Sequence, residues 1–191
     1  MYSLTNPELW RCPERTQFYR TISSDASYNP DEPFESTEGR FSNGIRATLY
    51  LSETPEGAIA EWLRRHPEFI SMQHSLRVSL NMVEIVFSST ALDIRTSEQA
   101  KMAAFPFDRL RSSESDPKIR YKECRVLATD VENVNGSIGI LYPSAALKNS
   151  NTWNIVLFGK VSDNWHPKGF LKIDRPVVDE EKIQLIDRDS S

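Results

Sequence analysis

Ala47-Thr48-Leu49-Tyr50-Leu51-Ser52-Glu53-Thr54-Pro55-Glu56-Gly57-Ala58-Ile59-Ala60-Glu61-Trp62-Leu63 is the stretch on which the fold turns. Its first six residues alternate. Ala47, Leu49 and Leu51 fall on one side and Thr48, Tyr50 and Ser52 on the other, the period of a half-buried strand. The period then changes. Thr54 is a good N-cap, Pro55 takes the first helical position, and Glu56 places a carboxylate in the first turn. The predicted helix runs to about His66 and stops before Pro67, with Ala58, Ile59, Trp62 and Leu63 as its buried stripe.

Working outward, Leu76–Leu80 and Val83–Phe87 read as two strands of a hairpin or meander. Ser97–Ala104 reads as a short helix, and Cys124–Ala128 as helix or strand. Gly139–Tyr142 and Trp153–Phe158 read as core strands, and Ile183–Ile186 as a short edge strand. The segment before Arg20 reads as irregular. Asp25–Gly39, with Pro30 and Pro33, reads as a long loop, and Phe105–Lys118 as a charged, mobile one. Five or six strands with two or three helices, not in regular alternation, predict an α+β domain rather than a doubly wound α/β one.

The chain has 191 residues, which suits one domain, and 39% apolar residues, enough for a core. Its net charge of −4, from 23 Lys+Arg against 27 Asp+Glu, argues against bulk binding to nucleic acid or to an anionic membrane. That charge leaves room for a few arginines around one small anionic ligand. Two distant cysteines, Cys12 and Cys124, form neither a disulfide framework nor a structural zinc motif. The N-terminus lacks the apolar run of a signal peptide, and no stretch is apolar for long enough to span a bilayer. A cytoplasmic protein is the expectation.

Several chemistries have no motif here. There is no Walker A loop and no G-x-G-x-x-G. His66, His74 and His166 have no metal-ligand spacing, so no metal is expected. No Cys–His pair or G-x-S-x-G elbow marks a nucleophile. What stands out is one arginine, one tyrosine and one glutamate within 22 residues, each on a different kind of element. Arg40 lies in the turn Gly39-Arg40-Phe41-Ser42-Asn43-Gly44, where glycine lets the backbone come close to a ligand. Tyr50 projects from the polar side of its strand. Glu61 borders the apolar stripe of the helix, about 60° from Ala58 and 100° from Trp62, which suits a carboxylate partly buried at the rim of a cleft.

The run from Gly39-Arg40-Phe41 through Ala47–Glu61 resembles the central signature of the RES domain family. The likeness continues in Ile140-Leu141-Tyr142-Pro143-Ser144-Ala145 and in the closing strand Asn154-Ile155-Val156-Leu157-Phe158. The family's early arginine, shortly after an aromatic, is matched by Arg20 after Phe18-Tyr19. The resemblance therefore places a RES domain over 18–160, between an N-terminal leader (1–17) and a C-terminal extension (161–191). The sequence departs from the family after Arg40, where Phe-Ser-Asn-Gly stands in place of the usual Trp-Asn and prolines.

The resemblance implies a single α+β domain like the ADP-ribosyltransferase toxins, with a split β-sheet core, flanking helices and a cleft for NAD⁺. It implies a toxin that depletes NAD⁺ by hydrolysis or phosphorolysis of the nicotinamide–ribose bond, with NAD⁺ as substrate and no cofactor required. The implied partner is an Xre-type antitoxin, or an immunity protein if the toxin is an effector delivered into another cell; a homo-oligomer is also compatible. Arg20 and Arg40 would hold the pyrophosphate, because a guanidinium matches phosphate oxygens in pairs. Tyr50 would stack on the nicotinamide or its ribose. Glu61 would hydrogen-bond the ribose and stabilise positive charge growing on the sugar. Ser144 would hydrogen-bond nicotinamide or ribose, or else cap a helix over Ala145–Leu147. Two alternatives are a mono-ADP-ribosyltransferase acting on a protein and a catalytically silent binding module. Ile59 stands where an arginine-specific transferase carries its second glutamate, which weakens the first.

Overall fold

The structure is a computed structural model and describes residues 4, 9–13, 16–23, 34–35, 39–42, 47–75, 77–85, 90–111, 119, 121–132, 137–147, 150–159, 165–174, 178 and 183. Among these, nine strands form one sheet: β1 (Leu9–Arg11), β2 (Thr16–Ser23), β3 (Phe34–Glu35), β4 (Ala47–Ser52), β5 (Arg77–Ile85), β6 (Thr90–Asp93), β7 (Ser137–Pro143), β8 (Trp153–Phe158) and β9 (Trp165–Asp174). The described residues also hold three helices that flank it: α1 (Pro55–Arg65), α2 (Ser97–Met102) and α3 (Lys122–Glu132). The strand order is β1-β6-β7-β8-β4-β2-β5-β9, with β3 paired to β4. Every pairing is antiparallel except β6 with β7, whose crossover carries α2 and α3. The chain folds as a single α+β domain.

The sheet is nearly divided in two. β2 pairs with β5 along its full length, from Thr16–Ile85 to Ser23–Val78, but meets β4 only at Tyr19–Ser52. Past that point the two strands part, and α1 follows directly from β4. A cleft opens at this division. The predicted strand and helix around it are observed. Thr54 caps α1, its hydroxyl accepting from the Gly57 N–H at 3.0 Å, and Pro55 starts the helix. The C-terminus falls just before Pro67.

Alternation along β4 sorts the core. Leu49 and Leu51 pack on one face with Phe18, Leu141, Ile155 and Leu157. Tyr50 packs on the other with Phe41, Ile140, Tyr142, Val156 and the buried side of α3, Cys124, Leu127, Ala128 and Val131. Those four fall at helical spacing, so the tertiary contact settles 124–128 as helix. Under α1, Ile59, Ala60 and Leu63 pack against Ala146, Leu147, Val178 and Ile183.

Five expectations need correction. The segment before Arg20 is not irregular; it holds β1 and most of β2. The polar look of Thr16–Ser23 hides a strand whose Phe18 and Ile22 are buried and whose partner β5 lies at least 55 residues away. Leu76–Leu80 and Val83–Phe87 are not a hairpin. Residues 77–85 are one continuous strand, and the shift of apolar phase from Leu80 to Val83 coincides with a bulge between Met82 and Val83 against β9. Of the predicted mobile loop, 105–111 is packed: Phe105 and Leu110 are buried in the core and Phe107–Arg111 forms a 3-10 turn. Residues 112–118 lie outside the described residues. Finally, the sheet extends beyond 18–160 on both sides, because β1 pairs with β6 and β9 with β5. Within the expected loop at 25–39, β3 pairs with β4. Of Ile183–Ile186, Ile183 bridges to Leu147, and 184–186 lie outside the described residues.

Candidate active site

Register brings the polar residues together. In antiparallel strands, paired residues project from the same face. Ser52 pairs with Asn154, and Asn154 with Tyr142, so β4, β8 and β7 present Ser52, Asn154 and Tyr142 side by side. Helix α1 lays Glu61 over them. The cleft encloses about 150 Å³ and is lined by Tyr19, Arg20 and Thr21 from β2, Tyr50 and Ser52 from β4, Glu61, Trp62 and Arg65 from α1, His66 at its C-cap, Tyr142 and Asn154.

Glu61 is held by two side-chain hydrogen bonds. Its Oε1 accepts from the Ser144 hydroxyl at 2.9 Å and from the Asn154 amide Nδ2 at 2.7 Å. Both bonds fall on one oxygen, which leaves Oε2 for a ligand. Burial alone would raise the Glu61 carboxyl. Arg64, Arg40, Arg65 and the Asn154 amide outweigh it and hold the carboxyl below its ordinary value. Glu61 is therefore a pinned anion at neutral pH.

Tyr50 is fixed through its hydroxyl, which accepts from the Phe41 N–H at 2.8 Å and shares a hydrogen bond with Ser42 Oγ at 3.0 Å. Ser42 in turn bonds Thr48 at 2.7 Å. The close approach that requires Gly39 is to this ring: a Cβ there would collide with Ser42 Oγ and the Tyr50 hydroxyl. Burial raises both Tyr50 and Tyr142, so each phenol stays neutral. The Arg65 guanidinium lies 5.7 Å from the Tyr50 ring centroid.

The candidates thus divide. Arg20, Tyr50 and Glu61 line the cleft; Arg40 and Ser144 lie behind it. The Arg40 guanidinium sits over the Tyr142 ring at 5.1 Å and the Tyr121 ring at 5.9 Å. It adds positive charge behind Glu61 and Tyr142 rather than presenting itself in the cleft. Ser144 is 2% exposed and caps no helix; its oxygen accepts from the Ala146 N–H at 3.2 Å while its hydroxyl holds Glu61. Ile59 is buried in the α1 core, so no carboxylate stands there.

Sequence reading missed several residues of the site: Thr21, Ser52 and Arg65 of the cleft lining, and two that sit beside Glu61, Asn154 and Arg64. Asn154 is buried at the start of an apolar strand, an odd place for an amide. Arg64, three positions after Glu61 and so on the same side of α1, is 5% exposed, and its Nε has no hydrogen-bond partner. An arginine three positions after Glu61 on the same helix was the available signal. Among the described residues no cluster of His, Cys, Asp or Glu could hold a metal ion, and no helix is long and apolar enough to cross a membrane.

The RES domain model matches residues 8–171, the span from β1 to most of β9. The chain belongs to the RES domain family. No curated protein matches it in sequence. Among solved structures, the M. tuberculosis MbcT–MbcA toxin–antitoxin complex contains a chain that superposes with a TM-score of 0.63 at 11% identity, covering 86% of this chain and 87% of that one. At that identity the likeness concerns the fold. The family match also takes in β1 and β9, which the sheet topology had joined to the rest.

Proposed function

We propose that this RES domain is the toxin of a toxin–antitoxin pair and that it cleaves the nicotinamide–ribose bond of NAD⁺, passing ADP-ribose to water or inorganic phosphate. The observation that carries this reading is the pinned Glu61 anion, its Oε1 fixed by Ser144 and Asn154, in the wall of a cleft that Tyr19, Tyr50 and Tyr142 also line. Cleavage of this bond builds positive charge on the ribose as nicotinamide leaves neutral. A fixed carboxylate stabilises that charge without reorganising. Tyr50, held in place by the Gly39–Ser42 turn, shields the reacting bond. Arg20 and Arg65 line the cleft and take the pyrophosphate, while Arg40 acts from behind. Trp62, stacked on Phe69 with centroids 5.3 Å apart, offers an aromatic wall for the far base.

Family membership supports the enzyme class, and the fold shared with a chain of a toxin–antitoxin complex supports a protein antitoxin as partner. The test is incubation of the purified protein with NAD⁺, with and without phosphate, resolving the products by chromatography. Free nicotinamide supports the reading, and the second product, ADP-ribose or its 1-phosphate, identifies the acceptor. Absence of nicotinamide under both conditions rejects it.

A further inference from the structure

Three residues lining the cleft carry buried polar atoms with no hydrogen-bond partner: Thr21 Oγ1, Ser52 Oγ and Asn154 Oδ1. The residues themselves are 6%, 2% and 3% exposed. Buried polar groups are almost always paired, so each orphan calls for an explanation. Here they are neighbours. Ser52 is the register partner of Asn154 on one side and of Tyr19, two residues from Thr21, on the other. They form a band across β2, β4 and β8 at the point where the sheet divides.

Their chemistry is selective. Asn154 Nδ2 is committed to the Glu61 carboxylate, which can only accept, so the amide orientation is fixed and Oδ1 faces away as a pure acceptor. The two hydroxyls give or accept, and no partner restrains their rotation about χ1. A group that satisfies all three must donate to Asn154, exchange hydrogen bonds with hydroxyls, and carry no negative charge, because an anion here would be desolvated beside Glu61. A primary carboxamide does this: its NH2 donates and its carbonyl accepts.

We propose that Thr21, Ser52 and Asn154 form a carboxamide subsite that recognises the leaving base. It rests on the NAD⁺ reading and adds a specificity to it. In the bound state the Ser52 and Thr21 side chains turn toward the carboxamide and Asn154 receives its NH2. A carboxylate in the same place brings no donor for Asn154 and a like charge for Glu61. Sites built to hydrogen-bond a substrate group reject analogues lacking it by large factors.

The experiment compares kcat/KM for NAD⁺ and for nicotinic acid adenine dinucleotide, in which a carboxylate replaces the carboxamide, using wild type, Thr21→Val and Ser52→Ala. The expected wild-type preference for NAD⁺ is about a hundredfold or more. Each substitution is expected to narrow that preference about tenfold, the share of one hydrogen bond, with the thermal midpoint unchanged or raised because an unpaired buried hydroxyl is lost. A preference that survives both substitutions overturns the subsite. So does an equal fall for both dinucleotides, which would assign the hydroxyls to the shared ribose. If wild type cleaves neither dinucleotide, the NAD⁺ reading fails by itself. Ligand-observed NMR with free nicotinamide and nicotinate then tests the subsite: selective binding of nicotinamide that weakens in Ser52→Ala upholds it, and equal or absent binding overturns it.

Discussion

Replacing Ser144 by alanine tests whether Glu61 must be held as well as present. The Ser144 hydroxyl donates 2.9 Å to Glu61 Oε1 from a residue 2% exposed, so no water substitutes for it. A hydrogen bond to a charged group is worth about 1.5–3 kcal/mol. Were that all realised at the transition state, kcat/KM would fall by about 10- to 150-fold, at 1.36 kcal/mol per factor of ten. The substitution also removes the acceptor of the Ala146 N–H, so the thermal midpoint should drop modestly. The assay is nicotinamide release under initial-rate conditions, read beside Asn154→Ala and the double variant. Both donors act on the same oxygen, so their losses should not add. Full activity in folded Ser144→Ala, or strictly additive losses, would refute the idea that the two side chains fix one carboxylate together.

Gly39→Ala should displace the Tyr50 ring, because the new methyl meets Ser42 Oγ and the Tyr50 hydroxyl. Overpacking of this kind costs about 1–3 kcal/mol, visible as a lower thermal midpoint together with a raised KM. Arg64→Met should move the acid limb of kcat/KM upward. With Arg64 present, cations hold Glu61 below its ordinary value of 4.5, so it stays ionised as pH falls toward that value; without its largest counter-charge, burial favours the protonated form. A limb that stays in place would show that Arg64 does not act on Glu61. Cys12 and Cys124 are buried and their thiols pushed up to about 11. Neither should react with iodoacetamide at pH 8 in the native protein, and both should react in urea, as mass spectrometry would show.

How much of this was legible in the sequence differs by element. The β4–α1 unit was readable almost residue by residue, because its signals are local: alternation, an N-cap, a proline at the helix start and another beyond its end. The α+β class followed from such units. β2 and β9 were hidden because long-range pairing, not their own pattern, makes them strands, and the bulge near Met82 imitated a turn. In the site, motif spacing picked out Tyr50 and Glu61, and the family resemblance Arg20; all three line the cleft. Neither signal carried information on depth. Arg40 and Ser144 therefore looked like ligand contacts, whereas packing places both behind Glu61. Asn154 became visible only through register, since nothing local links it to a glutamate 93 positions earlier.

The claim that Glu61 acts as a fixed anion is tested most directly by Glu61→Gln, which keeps the shape and removes the charge. Wild type and variant would be compared for nicotinamide release from NAD⁺ at neutral pH, with folding checked by thermal melting. The account predicts release by wild type and a fall of at least about a hundredfold in Glu61→Gln, the scale on which losing electrostatic stabilisation is felt. Equal rates in the two proteins would contradict it.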